Sequence, residues 1–277
     1  MGTLYIVATP IGNLKDITYR AVEILKNVDI IACEDTRVTR KLLSHYGITG
    51  KKLVSYHEHI EEKASDKIIS LLKEGMDIAL VSDAGTPCIS DPGYRVVKKA
   101  WENSINVVPI PGPFAGAAAL SASGLPSDRF IFVGFLPQKE KKKKEEIERL
   151  KQIGYTFILY ESPLRVLKTL KIIEEIIPDS EVVVGKEITK IHERFIRGNI
   201  KDVYRYLDQN KDIIKGEFVI ICNPVQSEEF NEDYIIEMAE ELYKKGKRIK
   251  EISKIISEET GFPKNRIYKL LLKKFNT

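Results

Sequence analysis

A chain of 277 residues, 43% hydrophobic and 30% charged, is long and apolar enough for two moderate domains with cores of their own. Its apolar runs fall short of the ~20 residues that cross a bilayer, no basic leader precedes the first of them, and Cys33, Cys88 and Cys222 are too scattered for a disulfide framework or a zinc site; the compartment expected is the cytoplasm. The net charge of +4 is uneven, with eleven Lys/Arg against four Glu in residues 241–277 and a slightly acidic remainder, which points to a polyanionic partner, nucleic acid before membrane, unless the lysines only solvate a surface helix.

Residues 4–8 read as a first strand, ended by the turn Thr9-Pro10-Ile11-Gly12-Asn13. Thr18 caps a helix whose apolar face runs through Ala21, Val22, Ile24 and Leu25. Residues 29–33 form a buried strand leading directly into Glu34-Asp35-Thr36-Arg37, and a helix over 38–46 stops at Gly47. A short strand at 53–56 precedes His57-Glu58-His59, and an amphipathic helix covers 62–74. The apolar run 78–81 breaks into two turns of small residues, Ser82-Asp83-Ala84-Gly85-Thr86-Pro87 and Ser90-Asp91-Pro92-Gly93. A helix over 94–103 and a strand at 106–108 lead to a third such loop, Pro109-Ile110-Pro111-Gly112-Pro113-Phe114-Ala115. The Ala- and Gly-rich helix 115–123 must pack closely on something flat, a sheet or a ligand. Residues 129–134 close the first half as its last strand, and the alternation predicts an α/β domain with a mainly parallel sheet.

Residues 135–138 read as a linker, followed by the charge run 139–151, a solvated helix or a phosphate-contacting edge. The second half gives strand 156–160, helix 163–177, strand 181–185, a strand around 189–197, a helix at 203–207 and a last strand at 217–222. Helical phase returns from Tyr234, and 249–257 with 265–275, joined by Thr260-Gly261-Phe262-Pro263, look like a helix-turn-helix pair. The organisation expected is an α/β domain over 1–135, a second over 136–226 and a basic helical segment over 227–277.

Carboxyl ends of parallel strands share one edge, so the loops at 9–13, 82–87 and 111–115 should converge on one crevice. No dinucleotide fingerprint, P-loop, zinc-protease or nucleophile-elbow motif is present. His57 and His59 lack further ligands at metal spacing, and no metal is expected. Glu34, Asp35 and Arg37 crowd three ionisable groups after an apolar strand, although Asp35 or Thr36 could simply cap the next helix. With Lys186, Glu187 and Lys190 they would form a cleft able to bind phosphate and move a proton, with Glu193 a further carboxylate nearby.

These motifs, with Ser123-Gly124-Leu125-Pro126, Gly134-Phe135-Leu136-Pro137, Tyr160-Glu161-Ser162-Pro163, Gly216-Glu217-Phe218 and Phe262-Pro263-Lys264-Asn265-Arg266-Ile267-Tyr268, follow the order of one family over the whole chain. The sequence resembles the bacterial ribosomal RNA small-subunit methyltransferase I family, within the tetrapyrrole-methylase superfamily. The resemblance implies two α/β domains of the class III methyltransferase type with S-adenosyl-L-methionine between them, a homodimer, and 2′-O-methylation of a cytidine in the decoding region of 16S rRNA. It carries cofactor contacts to Pro10, Asp83, Ala84, Gly85, Thr86, Phe114, Ala115, Tyr160 and Pro224. For that reaction the clustered ionisable residues make Glu34 and Asp35 candidate bases, with Arg37, Lys186 or Lys190 holding the neighbouring phosphate, and Glu187, Lys264 and Arg266 are further candidates for RNA contact. Two positions depart from the family: Phe114 stands where a small Ser is frequent, and Cys88 where Gly is frequent. Methylation of a tetrapyrrole, or cofactor-sensing RNA binding without turnover, are the alternatives left open.

Overall fold

Two strands made only of Ile, Ala, Leu, Val and Cys organise the first half: β2 (Ile30–Cys33) and β4 (Ile78–Val81), buried at every residue. Such strands need cover on both faces, which parallel sheets provide. They sit inside a five-stranded sheet in the order β3 (Lys52–Ser55), β2, β4, β1 (Thr3–Val7), β5 (Asn106–Ile110), every pairing parallel. One face is covered by α3 (Glu61–Lys73) and α4 (Tyr94–Glu102), the other by α1 (Tyr19–Asn27) and α2 (Thr36–His45). In this computed structural model the described residues are 1–224, 232–260, 262 and 264–275. They belong to two units, Met1–Pro224 and Val225–Thr277, and among them no helix is long and apolar enough to cross a membrane. Gly261 and Pro263, and the boundary expected at 226/227, lie outside the described residues.

The strand expected to close the first sheet belongs to the second. After α5 (Ala115–Ser123), β6 (Phe130–Phe135) pairs in parallel with β7 (Thr156–Glu161), the two joined by α6 (Glu140–Ile153). The cause lies in α5, whose Ala119 and Leu120 pack on Ile158, Val183 and Ile221 of the second sheet, so the chain has already crossed over. That packing supplies the flat partner its small residues anticipate. Alternation of strand and helix reports element type and says nothing of sheet membership, so the expected boundary at 135 follows a strand of sheet two.

The second sheet runs β6, β7, β10 (Phe218–Asn223), β8 (Glu181–Lys186), β9 (Arg194–Asn199), antiparallel at every pairing except the first. Its other face is covered by α6, α7 (Val166–Ile176) and α8 (Ile200–Gln209). The strand expected around 189–197 begins only at Arg194, because Glu187 (φ 50°) and Thr189 (φ 67°) take left-handed backbone that a strand excludes. The second unit comprises α9 (Glu232–Lys244), α10 (Ile249–Thr260) and α11 (Lys264–Phe275), which enclose a small core of Ile235, Ala239, Ile252, Ile256, Ile267 and Leu271.

The charge run is a helix, as its phase predicts, but one lysine is not solvated. Lys143 is 2% exposed and donates to Thr169 Oγ1 at 2.7 Å; its ammonium lies 3.5 Å from Glu161 Oε2, and Glu161 is 3% exposed. Thr169 also donates to Glu161 at 2.6 Å, and Arg165 Nε lies 3.0 Å from its other oxygen. Removing one partner of a buried ion pair costs about 3–5 kcal/mol, and here Arg165 remains to hold the carboxylate. Lys143→Met is therefore expected to lose stability near the lower end of that range in urea unfolding, while the exposed Lys142→Met stays within about 0.5 kcal/mol of wild type. Equal effects of the two would refute the role given to the buried pair.

Candidate active site

Register brings the loops together. Val7 pairs with both Val81 and Ile110, and Cys33 with Val81, so the chain leaves all four strands side by side on one edge. The loops are then sewn to each other by backbone groups. Thr9 and Gly85 exchange N–H···O bonds of 2.8 and 3.0 Å, and Thr9 Oγ1 donates to the Ser82 carbonyl at 3.0 Å. Thr86 Oγ1 donates to the Pro113 carbonyl at 3.0 Å, joining the second loop to the third. The three loops converge as expected.

The second sheet supplies the opposite wall. The Gly116 N–H at the start of α5 donates to Tyr160 Oη at 3.1 Å, and burial pushes that phenol up to about 12. Phe114 and Phe132 meet edge to face at 5.0 Å, and Phe132 meets Tyr160 at 5.1 Å. Between these walls lies a cavity of about 340 Å³ that Ala84, Gly85, Thr86, Phe114, Ala115 and Tyr160 help to line. Phe114 thus faces the cleft. A neighbouring cavity of about 430 Å³ shares Ile11, Ala84 and Glu217 with the first and takes in Pro10, Asp83, Lys41 and Lys190. Pro224 is buried past the end of β10 and lines neither, so the contact expected of it is not formed by this wall.

A lysine bridges the two halves of the rim. Lys190 lies 3.0 Å from Glu187 and 2.9 Å from Glu217, and its methylene stem crosses Gly12 so closely that a Cβ there would come within 2.5 Å of it. Two carboxylates engage Lys190, so its charge is already offset within the protein. Glu187 is likewise occupied, accepting from the Glu217 N–H at 2.9 Å, and a Cβ on Gly216 (φ +83°) would strike its carboxylate. Lys186 lines neither cavity; Lys264 and Arg266 lie on the first turn of α11, in the other unit.

The expected acid–base cluster separates into unlike groups. Asp35 caps α2: it accepts from the Arg37 N–H at 2.7 Å and from the Arg37 guanidinium at 2.7 Å, and these bonds hold its carboxyl at about 2. A carboxylate so engaged holds a proton weakly, and the capping role is the one its bonds show. Glu34 is half-buried, and desolvation first, then the Asp83 carboxylate, raise its pKa. Asp83 accepts from the Asp35 N–H at 3.0 Å.

Sequence reasoning assigned no role to Ile11, Asp91, Phe135, Ser162, Ile188 and Glu217, which also line the first cavity. Several stand inside quoted motifs, where the turn composition was the available signal. Cys88 (φ 70°) and Ser90 (φ 63°) hold left-handed backbone beside the cavity, at roughly 1–2 kcal/mol each for a non-glycine residue. A frequent Gly at the Cys88 position fits that geometry.

The family profile described as "Tetrapyrrole (Corrin/Porphyrin) Methylases" matches residues 3–204. The chain is 46% identical over 275 residues to "Ribosomal RNA small subunit methyltransferase I" of Bacillus subtilis, covering 97% of this chain and 93% of that protein. It is 50% identical over 220 residues to the protein of the same name from Hydrogenobaculum sp., covering 79% and 95%. Among solved structures, a cobalt precorrin-4 methyltransferase superposes with a TM-score of 0.60 at 20% identity, covering 80% of this chain and 94% of that one. A diphthine synthase superposes with a TM-score of 0.61 at 16% identity, covering 79% and 89%. At such identities the two structures speak for the fold.

Asp91 gives this cavity a pH signature. Burial first, and the Glu34 carboxylate second, push its pKa up to about 6, from about 3.9 in an unfolded chain. A carboxyl raised on folding favours the folded state fully below its unfolded pKa and loses that contribution as pH rises through the folded one. Asp91→Asn is therefore expected to match wild type in thermal unfolding below about pH 4 and to become the more stable protein above about 6. A difference that does not change with pH would contradict the assignment.

Proposed function

Because the chain belongs to the tetrapyrrole methylase family and, within it, to ribosomal RNA small subunit methyltransferase I, we propose that it transfers a methyl group from S-adenosyl-L-methionine to the ribose 2′-oxygen of a cytidine in the decoding region of 16S rRNA. The single observation that carries the reading is the closure of three loops of one sheet edge and Tyr160 of the second sheet on one cavity. Its volume of about 340 Å³ lies within the ~300–1,000 Å³ of small-molecule sites. The residues fit the donor: Phe114 and Tyr160 offer aromatic faces for adenine, the backbone from Ala84 to Thr86 and at Ala115 offers polar groups, and Asp91 offers a carboxylate to a cationic centre.

When bound, the donor supplies an electrophilic methyl on its sulfonium. The protein's own tasks are to hold the ribose oxygen in line with that methyl and to take its proton. Positioning of this kind is worth up to ~7–11 kcal/mol in favourable cases, and a well-placed base roughly 10²–10⁴-fold. Glu34 is the base in this reading, because desolvation raises its proton affinity while Arg37 lowers that of Asp35. The cytidine must be unstacked for its sugar to enter, as in single-stranded or distorted RNA. The basic helix α11, with Lys264 and Arg266 on its first turn, would hold flanking phosphates, giving affinity that falls steeply with salt. A homodimer acting in the cytoplasm completes the proposal.

The test is labelled-methyl incorporation into small subunits, with mapping of the modified nucleotide. Wild type is expected to label one cytidine ribose. Glu34→Gln is expected to lose roughly 10²–10⁴-fold in single-turnover rate at unchanged donor affinity, and Asp35→Asn much less. Label on a tetrapyrrole and none on rRNA would overturn the substrate; an undiminished Glu34→Gln rate would overturn the base.

A further inference from the structure

We propose that the outer face of α2 is the track on which the RNA backbone lies as the target ribose enters the site, with Arg37, Arg40 and Lys41 as its phosphate contacts. The inference rests on the reading of RNA as the methyl acceptor. Arg37, Arg40, Lys41, Ser44 and His45 recur at helical spacing, all exposed, and line one open groove. The opposite face buries Thr39 and Leu43 against the first sheet's core, so the basic face cannot turn inward. Helix α2 contains no Asp or Glu. Among the described residues, neither Arg40 nor Lys41 forms an ion pair, while the Arg37 guanidinium, 83% exposed, keeps most of its surface free beyond its contact with Asp35.

Position separates this face from the other lysine-rich surfaces. Lys41 lines both the groove on α2 and the cavity that contains Pro10 and Asp83, and that cavity shares Ile11, Ala84 and Glu217 with the cavity assigned to the methyl donor. A strand on α2 would therefore reach the site without a gap. Tyr46 at the end of α2 donates to the Leu14 carbonyl, which ties the helix to the loop after β1. On α6, Lys144 pairs with Glu175 and Glu140, and Glu140 also takes Lys168 of α7; Lys141 and Lys142 are exposed but line neither cavity. Lys190, nearest the cavities, is neutralised by Glu187 and Glu217. Two uncompensated cations, Arg40 and Lys41, beside the exposed Arg37 and continuous with the site, suit a polyanion with regularly spaced charges. An RNA backbone has them.

Charge reversal tests the track. Arg40→Glu with Lys41→Glu is compared with wild type, with the neutral pair Arg40→Gln and Lys41→Gln, and with a control reversal of Lys141 and Lys142 on α6. The readouts are affinity for a single-stranded oligoribonucleotide of the decoding-region sequence, methyl transfer to small subunits, and donor affinity by calorimetry. The α2 reversal is expected to raise KM at least ~10-fold and to lower the log–log salt slope of RNA binding by about 1.4, about 0.7 for each lost phosphate contact on a single strand. Donor affinity and the single-turnover rate at saturating substrate should hold, the neutral pair should fall between, and the control should stay within about twofold of wild type. Unchanged KM and slope, or an equal loss in the control, overturns the track. A wild-type protein that binds the RNA but never methylates it overturns the functional reading alone, provided the α2 reversal still abolishes binding.

Discussion

The backbone register of one parallel sheet governs the rest of the molecule. With Val7 paired to Val81 and Ile110, and Cys33 to Val81, four chain segments leave one edge side by side, each about 4.8 Å from the next. A slip of one residue in β2 or β4 would exchange the side chains packed under α3 and α4 with those packed under α1 and α2, which makes that register costly to alter. The bonds between Thr9 and Gly85 extend the sheet's pairing into the loops themselves. A site assembled this way has its walls placed by hydrogen bonds that form whether or not a ligand is present, which lowers the ordering cost of binding.

Charge follows the same plan. Asp83 lines one cavity and Asp91 the other, and burial together with neighbouring carboxylates makes Glu34 and Asp91 hold their protons more tightly than free carboxyls do. Cations near them are of two kinds. Lys190, Lys143 and Arg165 are bound to carboxylates and hold the structure together, whereas Arg40 and Lys41 remain turned outward. Catalysis with a cationic donor and a polyanionic acceptor needs negative charge inside and positive charge at the approach. The distribution has that sense. Of the non-glycine residues with left-handed backbone, Cys88, Ser90, Glu187 and Thr189 sit in loops on the same side of the sheets, where strain can serve a function, while Ser104 turns the chain into β5.

Much of this was readable in the residues and some was not. Small-residue loops at strand ends announced a crevice, because Gly, Pro and Ala at such positions let backbone approach a ligand. The family motifs named Ala84, Gly85, Thr86, Phe114, Ala115 and Tyr160, which line one cavity. Sheet membership of β6 was hidden, since the pattern of a strand does not say which neighbour it pairs with, and β6 pairs in parallel with β7 of the second sheet. The burial of Lys143 was hidden because helical phase marks a face without saying what stands opposite it; Glu161 and Thr169 come from other elements. The same limit applies to Lys190, whose two carboxylates converge only through the fold, and to Asp35, where a cap and a base share one residue type. The roles sequence assigned best were those set by backbone geometry, and the roles it missed depend on distant partners.

The claim beneath the whole account is that the loops of one sheet and the rim of the other enclose the methyl donor together. Backbone amide resonances followed during titration with S-adenosylhomocysteine test it most directly. Saturable shifts are predicted at Gly85, Thr86, Ala115 and Gly116 and, on the facing rim, at Ser162 and Glu217. Shifts confined to one of the two walls, or to α9–α11, would contradict it.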